Sequence, residues 1–529
     1  MSKKTIVVCD HIHEAGLKIL EKTEDINYIF AANVDKVKLL DIIKDADVAI
    51  TRSSTDVDEK FLNAAVNLKA IIRAGVGYDN VDIEGCSKRG IIAMNVPTAN
   101  TIAAVELTMA HMLSCMRKFP YAHNQLKIDR VWKREDWYGN ELYGKKLGVI
   151  GFGNIGHRVA LRAKAFEMDV ITYDPFIPST KATDLGITYT TNFDDILACD
   201  IITIHTPKNK ETIDMISFDE IKKMKDGVIL INCARGGLYN EEALVENLKS
   251  GKIAMAGIDV FKKEPATSHP LLDLPNVTVT AHLGANTKES QKEISVQSAN
   301  NAIESARGVA YPNALNLPID ESKIPNFVKP YIELTQKMAF LLAQISKSEI
   351  RAIDVSAEGE LAEFVDSLQT FASVGVLSAS ASSSSVNYVN ANFIAKEKNI
   401  ELTTKKLTNN SGYKNKVTIK ITTSKGVKTI SGTVFEDSVQ RVVDIDGYKI
   451  DVEPKGKMIL MKNKDIPGVI GQVGTLLAKN SINISDFRLS RGKENTALAV
   501  ILIDEKANSK VISELDGLEA SISVAYAEI

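Results

Sequence analysis

The sequence predicts an α/β chain: two doubly wound parallel-sheet domains, Rossmann- or flavodoxin-like, followed by two smaller α+β domains. Three observations carry this. Short β-branched runs alternate with helix-like segments from the N-terminus to VTVTAH at 277–282. That alternation is the mark of parallel strands joined by crossover helices. The turn GFGNIG at 151–156 stands between one such strand and one such helix. Past residue 325 the texture changes to Ser-, Thr-, Asn- and Lys-rich segments that alternate apolar and polar residues.

In the first series TIVVCD, DVAITRS, LKAIIRAG and GIIAMNV read as strands, with EAGLKILEKT, VDKVKLLDIIKD and DEKFLNAA as helices between them. The stretch NTIAAVELTMAHMLSCMRKF, 100–119, reads as one long helix capped by Asn100 or Thr101. A second series gives strands KLGVIG, DVITYD, IITIHT, GVILINCA, MAGIDVF and VTVTAH, and a helix follows over 287–308. The proline-bearing segment 309–327 reads as a linker. Beyond it come a helix at 328–346, a serine-rich but punctuated stretch at 378–393, and strands NKVTIKITT, KTISGTVF and QRVVDIDGYKI. The last seventy or so residues read strand–helix–strand–strand–helix–strand, a βαββαβ module.

A chain of 529 residues is too long for one core, since single cores stop growing at about 250–300 residues. The net charge of −3 gives no general attraction to nucleic acid or to an anionic membrane. Five cysteines standing singly exclude a disulfide framework and a structural zinc site, and no metal is expected. The opening MSKKTIVVCDHIH is apolar over too few residues for a secretory signal. No run approaches the roughly 18 residues of a membrane span. The expectation is a cytoplasmic protein.

The most specific stretch is the glycine turn. Gly151 allows a tight turn, Gly153 lets the backbone approach a pyrophosphate, and Gly156 lets helix and strand pack closely. The helix N-terminus attracts the anion. Asp174 closes the next strand, where a carboxylate takes the two ribose hydroxyls and repels a 2′-phosphate. No Arg or Lys follows in PFIPST, so the expected cofactor is NAD.

Further strand ends of the same half carry Arg235, Asp259, Glu264 and His282. Ligands of open α/β sheets lie beyond the carboxyl ends of the strands. Histidine is suited to taking and returning a hydroxyl proton, a carboxylate beside it stabilises the imidazolium, and a guanidinium holds a substrate carboxylate. These are the needs of hydride transfer from a 2-hydroxy acid. In the first half, AITRSSTDV places Arg52 and Ser53 after a strand, and Gly75-Val76-Gly77 offers backbone amides to an anion.

The segments GFGNIG…YDPF, INCARGGLYNEEAL, AGIDVFKKEP, TAHLGANT, RAGVGYDNVD and NVPTANTIAAVELTMAHML resemble the D-isomer-specific 2-hydroxyacid dehydrogenase family. The whole chain resembles its long branch, which oxidises 3-phospho-D-glycerate to 3-phosphohydroxypyruvate at the start of serine synthesis. The resemblance implies catalytic roles for Arg235, Glu264 and His282. It implies cofactor contacts at Val76, Asn154, Ile155, Asp174, Thr206, Cys233, Ala234, Arg235, Asp259, His282, Leu283, Gly284 and Ala285. Substrate contacts fall on Arg52, Ser53, Val76, Asn100, Arg235 and His282. It divides the chain into a substrate-binding domain (1–99 and 284–318), a cofactor domain inserted within it (100–283), an intervening domain (319–454) and an ACT-like domain (455–529). Gly284 is expected to turn the chain back into the substrate-binding domain.

The segment NKDIPGVIGQVGTLLAKNSINISDFRLSR resembles an ACT domain, a ligand sensor that pairs with itself across a dimer. The resemblance implies L-serine as effector, held by Asp465 and Asn483, and a homodimer or homotetramer. Ile466 and Asn463 depart from the family's usual residues. The alternatives are another D-2-hydroxyacid dehydrogenase, a 2-oxoglutarate reductase, or an NAD-sensing corepressor.

Overall fold

A computed structural model describes residues 3–529 apart from 319–323, 347, 381–385, 409–411, 437 and 493. By its internal packing the chain divides into two compact units. One comprises Met1–Asp56, Ile72–Asn80 and Asn95–Asn313; the other comprises Val57–Ile71, Val81–Met94 and Ala314–Ile529.

The first sheet has five strands in the order Ile26–Phe30, Lys4–Val8, Val48–Thr51, Ala70–Arg73, Ile92–Asn95. Counted along the chain this is 2-1-3-4-5, a flavodoxin-like order. Ile26–Phe30 was not legible as a strand: it is an edge strand with only Ile26 buried. The inner strands are apolar without alternation because helices cover both their faces.

The second sheet has seven strands. Counted from Lys146–Ile150 their order is 3-2-1-4-5-6-7, with every pair parallel. The order reverses between Lys146–Ile150 and Ile201–Ile204, and a crevice opens beyond the strands at such a switch point. The glycine turn leaves the first of these strands and His205-Thr206 leave the other.

The helix over Thr101–Arg117 buries Val105, Met109, Met112 and Met116 in one core with Val149, Val159 and Ile231. It stops two residues short of the expected end. Lys118 takes a left-handed φ of 50°, and a second helix, Phe119–Lys127, restarts with Pro120 in its first turn. Asn100 stands at the N-cap, yet its side chain makes no capping bond.

The third sheet is mixed, in the order Glu401–Leu407, Ile350–Glu358, Lys416–Thr423, Gly426–Phe435, Val439–Ile445, Tyr448–Val452. Only its first pair is parallel. Helices Lys329–Ser346 and Val365–Ser380 share its core through Leu334, Met338, Leu342, Leu368 and Leu377. QRVVDIDGYKI is two strands rather than one. Asp446 and Gly447, at φ 50° and 86°, form the tight turn of a hairpin, and an Asp-Gly pair between apolar runs is the sequence signal for it. The serine-rich stretch falls partly outside the described residues; Ser378–Ser380 end a helix and Ala391–Glu397 form another.

The last sheet is antiparallel, in the order Ile484–Arg491, Thr496–Ile503, Lys457–Lys464, Ser521–Glu528. With helices Val469–Lys479 and Ser509–Asp516 it makes the expected βαββαβ module, closed over Ile459, Met461, Val473, Leu477 and Ile501. Among the described residues no helix is long and apolar enough to cross a membrane.

Candidate active site

The three glycines of the turn serve three different ends. Gly151 has φ 86°, and a Cβ there would stand 2.8 Å from the His205 carbonyl oxygen. A Cβ on Gly156 would stand 1.9 Å from the Gly151 carbonyl oxygen. A Cβ on Gly153 would meet nothing within 4 Å, so that glycine faces open space at the N-terminus of the helix Gly156–Ala165. Asp174 lies one residue past its strand. Its carboxylate accepts the Phe152 N–H at 2.8 Å and the Phe176 N–H at 3.0 Å, which fixes it beside the turn.

Next to the turn is a cavity of about 290 Å³ walled by Val76, Asn100, Ile155, Thr206, Cys233, Ala234, Arg235, His282, Gly284 and Ala285, among others. The Thr206 hydroxyl and the Asn100 amide oxygen are buried without a hydrogen-bond partner. Unpartnered buried polar atoms facing an open space are atoms awaiting a ligand. Together with the open side of Gly153, they fit a dinucleotide lying across the switch point.

The acid/base candidate is built by two strand ends, those of Ile253–Ile258 and Val277–Val279. The strand Val277–Val279 stops three residues before His282. His282 itself takes a left-handed φ of 54°, costly for a residue with a Cβ. It is held there because its N–H donates to the Asp259 carbonyl at 2.8 Å. The Asp259 carboxylate accepts the Leu283 and Gly284 N–H groups at 2.7 and 3.0 Å. The turn expected at Gly284 is therefore made at His282. Asp259 is fully buried, so it shapes the turn and does not face the cavity as a cofactor contact.

His282 Nδ1 lies 2.8 Å from Glu264 Oε2, and the other oxygen of Glu264 accepts the Phe261 N–H at 3.0 Å. Burial pushes the Glu264 carboxyl up. The His282 ring, the Phe261 N–H and the charge of Arg235 outweigh it, and the net position is below the usual carboxylate range. Asn232 secures the loop carrying Arg235: its side chain accepts the Ala234 N–H and donates to the Arg235 carbonyl. Arg235 reaches Asp79 with Nε at 3.2 Å.

A second cavity, of about 470 Å³, shares the walls Val76, Asn100, Arg235 and His282 and adds Arg52, Ser53, Arg73 and Glu264. Sequence reasoning missed Arg73. Its signal was its place, the last residue of an apolar strand, two residues before Gly75, much as Arg52 directly follows the strand Val48–Thr51. Gly75 and Gly77 have a further reason to be glycine. A Cβ on Gly75 would lie 1.9 Å from Arg73 Nη1, and one on Gly77 would lie 2.1 Å from Arg235 Nη2. The loop carries no side chain at 75 and 77, where the two guanidiniums fold across it. Burial, then the charges of Arg235 and Arg52, push the Arg73 guanidinium down to about 10.

Residues Gly151, Gly153, Asn154, Gly156, Asp174 and Leu283 flank the cavities without walling them. In the last domain Asp465 walls a cavity of about 310 Å³ with Asn463 and Arg491, and pairs with Arg491 at 3.1 Å. Asn483 does not join it. It is exposed, and its amide donates to Asp504 at 2.7 Å, so one chain does not bring the two expected effector residues together.

Three family models match the chain: the D-isomer specific 2-hydroxyacid dehydrogenase NAD binding domain at 109–284, the D-3-phosphoglycerate dehydrogenase intervening domain at 327–446, and the ACT domain at 457–520. The D-3-phosphoglycerate dehydrogenase of Bacillus subtilis is 36% identical over 99% of both chains. That of Archaeoglobus fulgidus is 36% identical over 98% of this chain and 97% of its own. Among solved structures, a glyoxylate reductase from Paecilomyes thermophila matches with TM-score 0.55 and 28% identity, over 60% of this chain and 99% of its own. A D-lactate dehydrogenase from Aquifex aeolicus, complexed with NAD and lactic acid, matches with TM-score 0.53 and 27% identity, over 59% and 99%. With relatives matched from end to end, the chain belongs to the D-3-phosphoglycerate dehydrogenase family.

Proposed function

We propose that the chain oxidises 3-phospho-D-glycerate to 3-phosphohydroxypyruvate with NAD, the first step of serine synthesis. One observation carries the choice of substrate. Arg52, Arg73 and Arg235 wall a single cavity, and the mutual repulsion of the three cations contributes to the lowering at Arg73. Such a cluster asks for an anion. A substrate with a carboxylate and a phosphate offers two anionic groups to these guanidiniums, of which Arg235 also pairs with Asp79, where lactate offers one.

In this reading NAD, when bound, accepts the hydride from carbon 2. Gly151, Gly153, Asn154, Ile155 and Gly156 receive its pyrophosphate, Asp174 its ribose hydroxyls, and Thr206 and Ala285 its nicotinamide half. Arg235 holds the substrate carboxylate and Asn100 helps to orient it. Arg52, Ser53 and Arg73 hold the phosphate. His282 takes the proton from the C2 hydroxyl as the carbonyl forms, and Glu264 keeps the ring turned and stabilises the imidazolium. The test is kcat/KM for 3-phospho-D-glycerate, D-lactate and 2-hydroxyglutarate. A preference of at least about a hundredfold for the phosphorylated acid is expected from one charge-assisted phosphate site; equal values would sink the reading.

Four further readings belong to it. The substrate-binding domain is 1–99 with 284–318, around an inserted 100–283. The chain acts as a homodimer or homotetramer, supported by the exposed Phe119, Trp132 and Tyr138 on one segment; a monomer in light scattering would refute it. L-serine inhibits through Asp465 of one ACT domain and Asn483 of another, since the two lie apart within one chain. Five buried, unpaired cysteines support a reducing, cytoplasmic setting.

A further inference from the structure

His111 is a buried imidazole, 4% exposed, on the helix Thr101–Arg117, and neither cavity includes it. Its ring is wedged against the sheet. A Cβ on Gly257, on the facing strand Ile253–Ile258, would stand 2.9 Å from His111 Cβ, so that glycine leaves the room the ring needs. Both ring nitrogens are engaged: Nε2 lies 2.8 Å from the Thr280 hydroxyl and Nδ1 lies 3.1 Å from the Thr278 hydroxyl.

The direction of these bonds follows from their far end. The Asp259 carboxylate accepts from Thr280 Oγ1 at 2.6 Å as well as from the Leu283 and Gly284 N–H groups. Thr280 has one proton and gives it to Asp259, so it receives one from His111 Nε2–H. The Nδ1 lone pair then accepts from Thr278, whose other partners, Cys115 Sγ at 3.4 Å and the Ala256 carbonyl at 3.5 Å, lie farther off. Burial holds the His111 ring below the usual imidazole range, against the opposing charge of Asp259, which keeps this neutral tautomer in place.

We propose that His111 is a positioning residue for the reaction: through Thr280 and Asp259 it fixes the left-handed turn that presents His282. The inference rests on the reading of His282 as the acid/base. A left-handed non-glycine residue persists only where its surroundings over-determine it. Here the determinants are the Asp259 carbonyl on the His282 N–H and the Asp259 carboxylate on the next two N–H groups. The carboxylate is in turn oriented by Thr280 and His111. Remove the His111 donor and the Thr280 hydroxyl is free to rotate away, which loosens the carboxylate that holds the turn.

The test is steady-state kinetics on the full chain. His111→Leu keeps the bulk and removes both nitrogens. Its kcat should fall about tenfold, the scale of a small misplacement of a reacting group, with KM for NAD and for 3-phospho-D-glycerate unchanged. His111→Gln can donate to Thr280 and accept from Thr278, and should restore kcat. Thr280→Val should reproduce the loss, and the double variant should be no slower than the slower single, because both act through one chain. Wild-type kcat in His111→Leu, a His111→Gln as slow as His111→Leu, or multiplying losses in the double variant would overturn the proposal. If His111→Leu does not fold, Thr280→Val and His111→Gln still decide it. His282→Ala is measured alongside. If that variant keeps wild-type rate, the acid/base reading falls and takes this one with it. If it is inactive while His111→Leu is not slowed, only the role of His111 falls.

Discussion

His282 Nδ1 and Glu264 Oε2 stand 2.8 Å apart, and each partner is fixed from its other side, Glu264 by the Phe261 N–H and His282 by the Asp259 carbonyl. A pair held at both ends presents His282 Nε2 in one direction and leaves the ring little freedom to turn. That is the geometry a proton carrier needs before substrate arrives.

Glu264→Gln should therefore cost rate more than affinity. The amide keeps the shape and can still accept the Phe261 N–H, but the imidazolium loses its counter-charge. We expect kcat to fall by about ten- to a hundredfold with NAD binding unchanged. The Glu264 carboxyl sits below its usual range in the folded chain. Its stabilisation is thus present from the ordinary carboxylate range upward and is lost as pH falls through the lower folded value. An unchanged kcat in the variant would separate Glu264 from the proton transfer.

Arg73→Leu should discriminate between substrates. Arg73 is a cation disfavoured by its burial and by the charges of Arg235 and Arg52, so its removal should leave the free protein's stability intact. It also removes a charge-assisted partner for phosphate, worth about 1.5–3 kcal/mol. The expected outcome is a drop of roughly ten- to a hundredfold in kcat/KM for 3-phospho-D-glycerate. For D-lactate the change should stay within a few-fold. Equal losses for both acids would place Arg73 elsewhere than on the phosphate.

How much of this was legible in the sequence depends on the range of the cause. The glycine turn, Asp174 and the strand-end residues Arg235, Glu264 and His282 could be read because the chemistry imposes them locally, each beside its own apolar strand. Arg73 was hidden by standing in a run already explained as a strand. The left-handed turn at His282 was hidden because Gly284, two residues on, offered a cheaper place for it. The Asp259 carbonyl on the His282 N–H, with the buried Asp259 carboxylate on the Leu283 and Gly284 N–H groups, makes the costlier choice hold. The edge strand Glu401–Leu407, ELTTKKL, lacks a two-sided core and so lacks the apolar run that marks the inner ones.

The ACT cavity gives a prediction on regulation. Asn463 is 2% exposed with its amide oxygen unpartnered, and Asp465 is engaged by Arg491. In the proposed effector site an amino acid offers its ammonium to Asp465 of one ACT domain and its carboxylate to Asn483 of another. Millimolar L-serine should slow turnover of the wild-type chain, and Asp465→Ala should raise the serine concentration needed by at least about tenfold, the scale of one charged hydrogen bond. An unchanged serine response in that variant would remove Asp465 from the effector site.

The glycines of the turn supply the sharpest contrast, because two of them fail for different reasons. Alanine at Gly156 would drive its Cβ to 1.9 Å from the Gly151 carbonyl oxygen, a backbone atom that cannot swing aside. Strand and helix must part, at a cost of about 2–4 kcal/mol, so Gly156→Ala should lower the melting temperature with or without cofactor. Alanine at Gly153 meets nothing within 4 Å and needs no unusual φ, so the free protein should melt as the wild type does. Its methyl would occupy the space where the backbone must approach the pyrophosphate. The expected outcome for Gly153→Ala is a raised KM for NAD, by at least about tenfold, and loss of the stabilisation that NADH gives the wild-type chain on heating. If Gly153→Ala bound NADH normally, the dinucleotide would have to lie away from this turn.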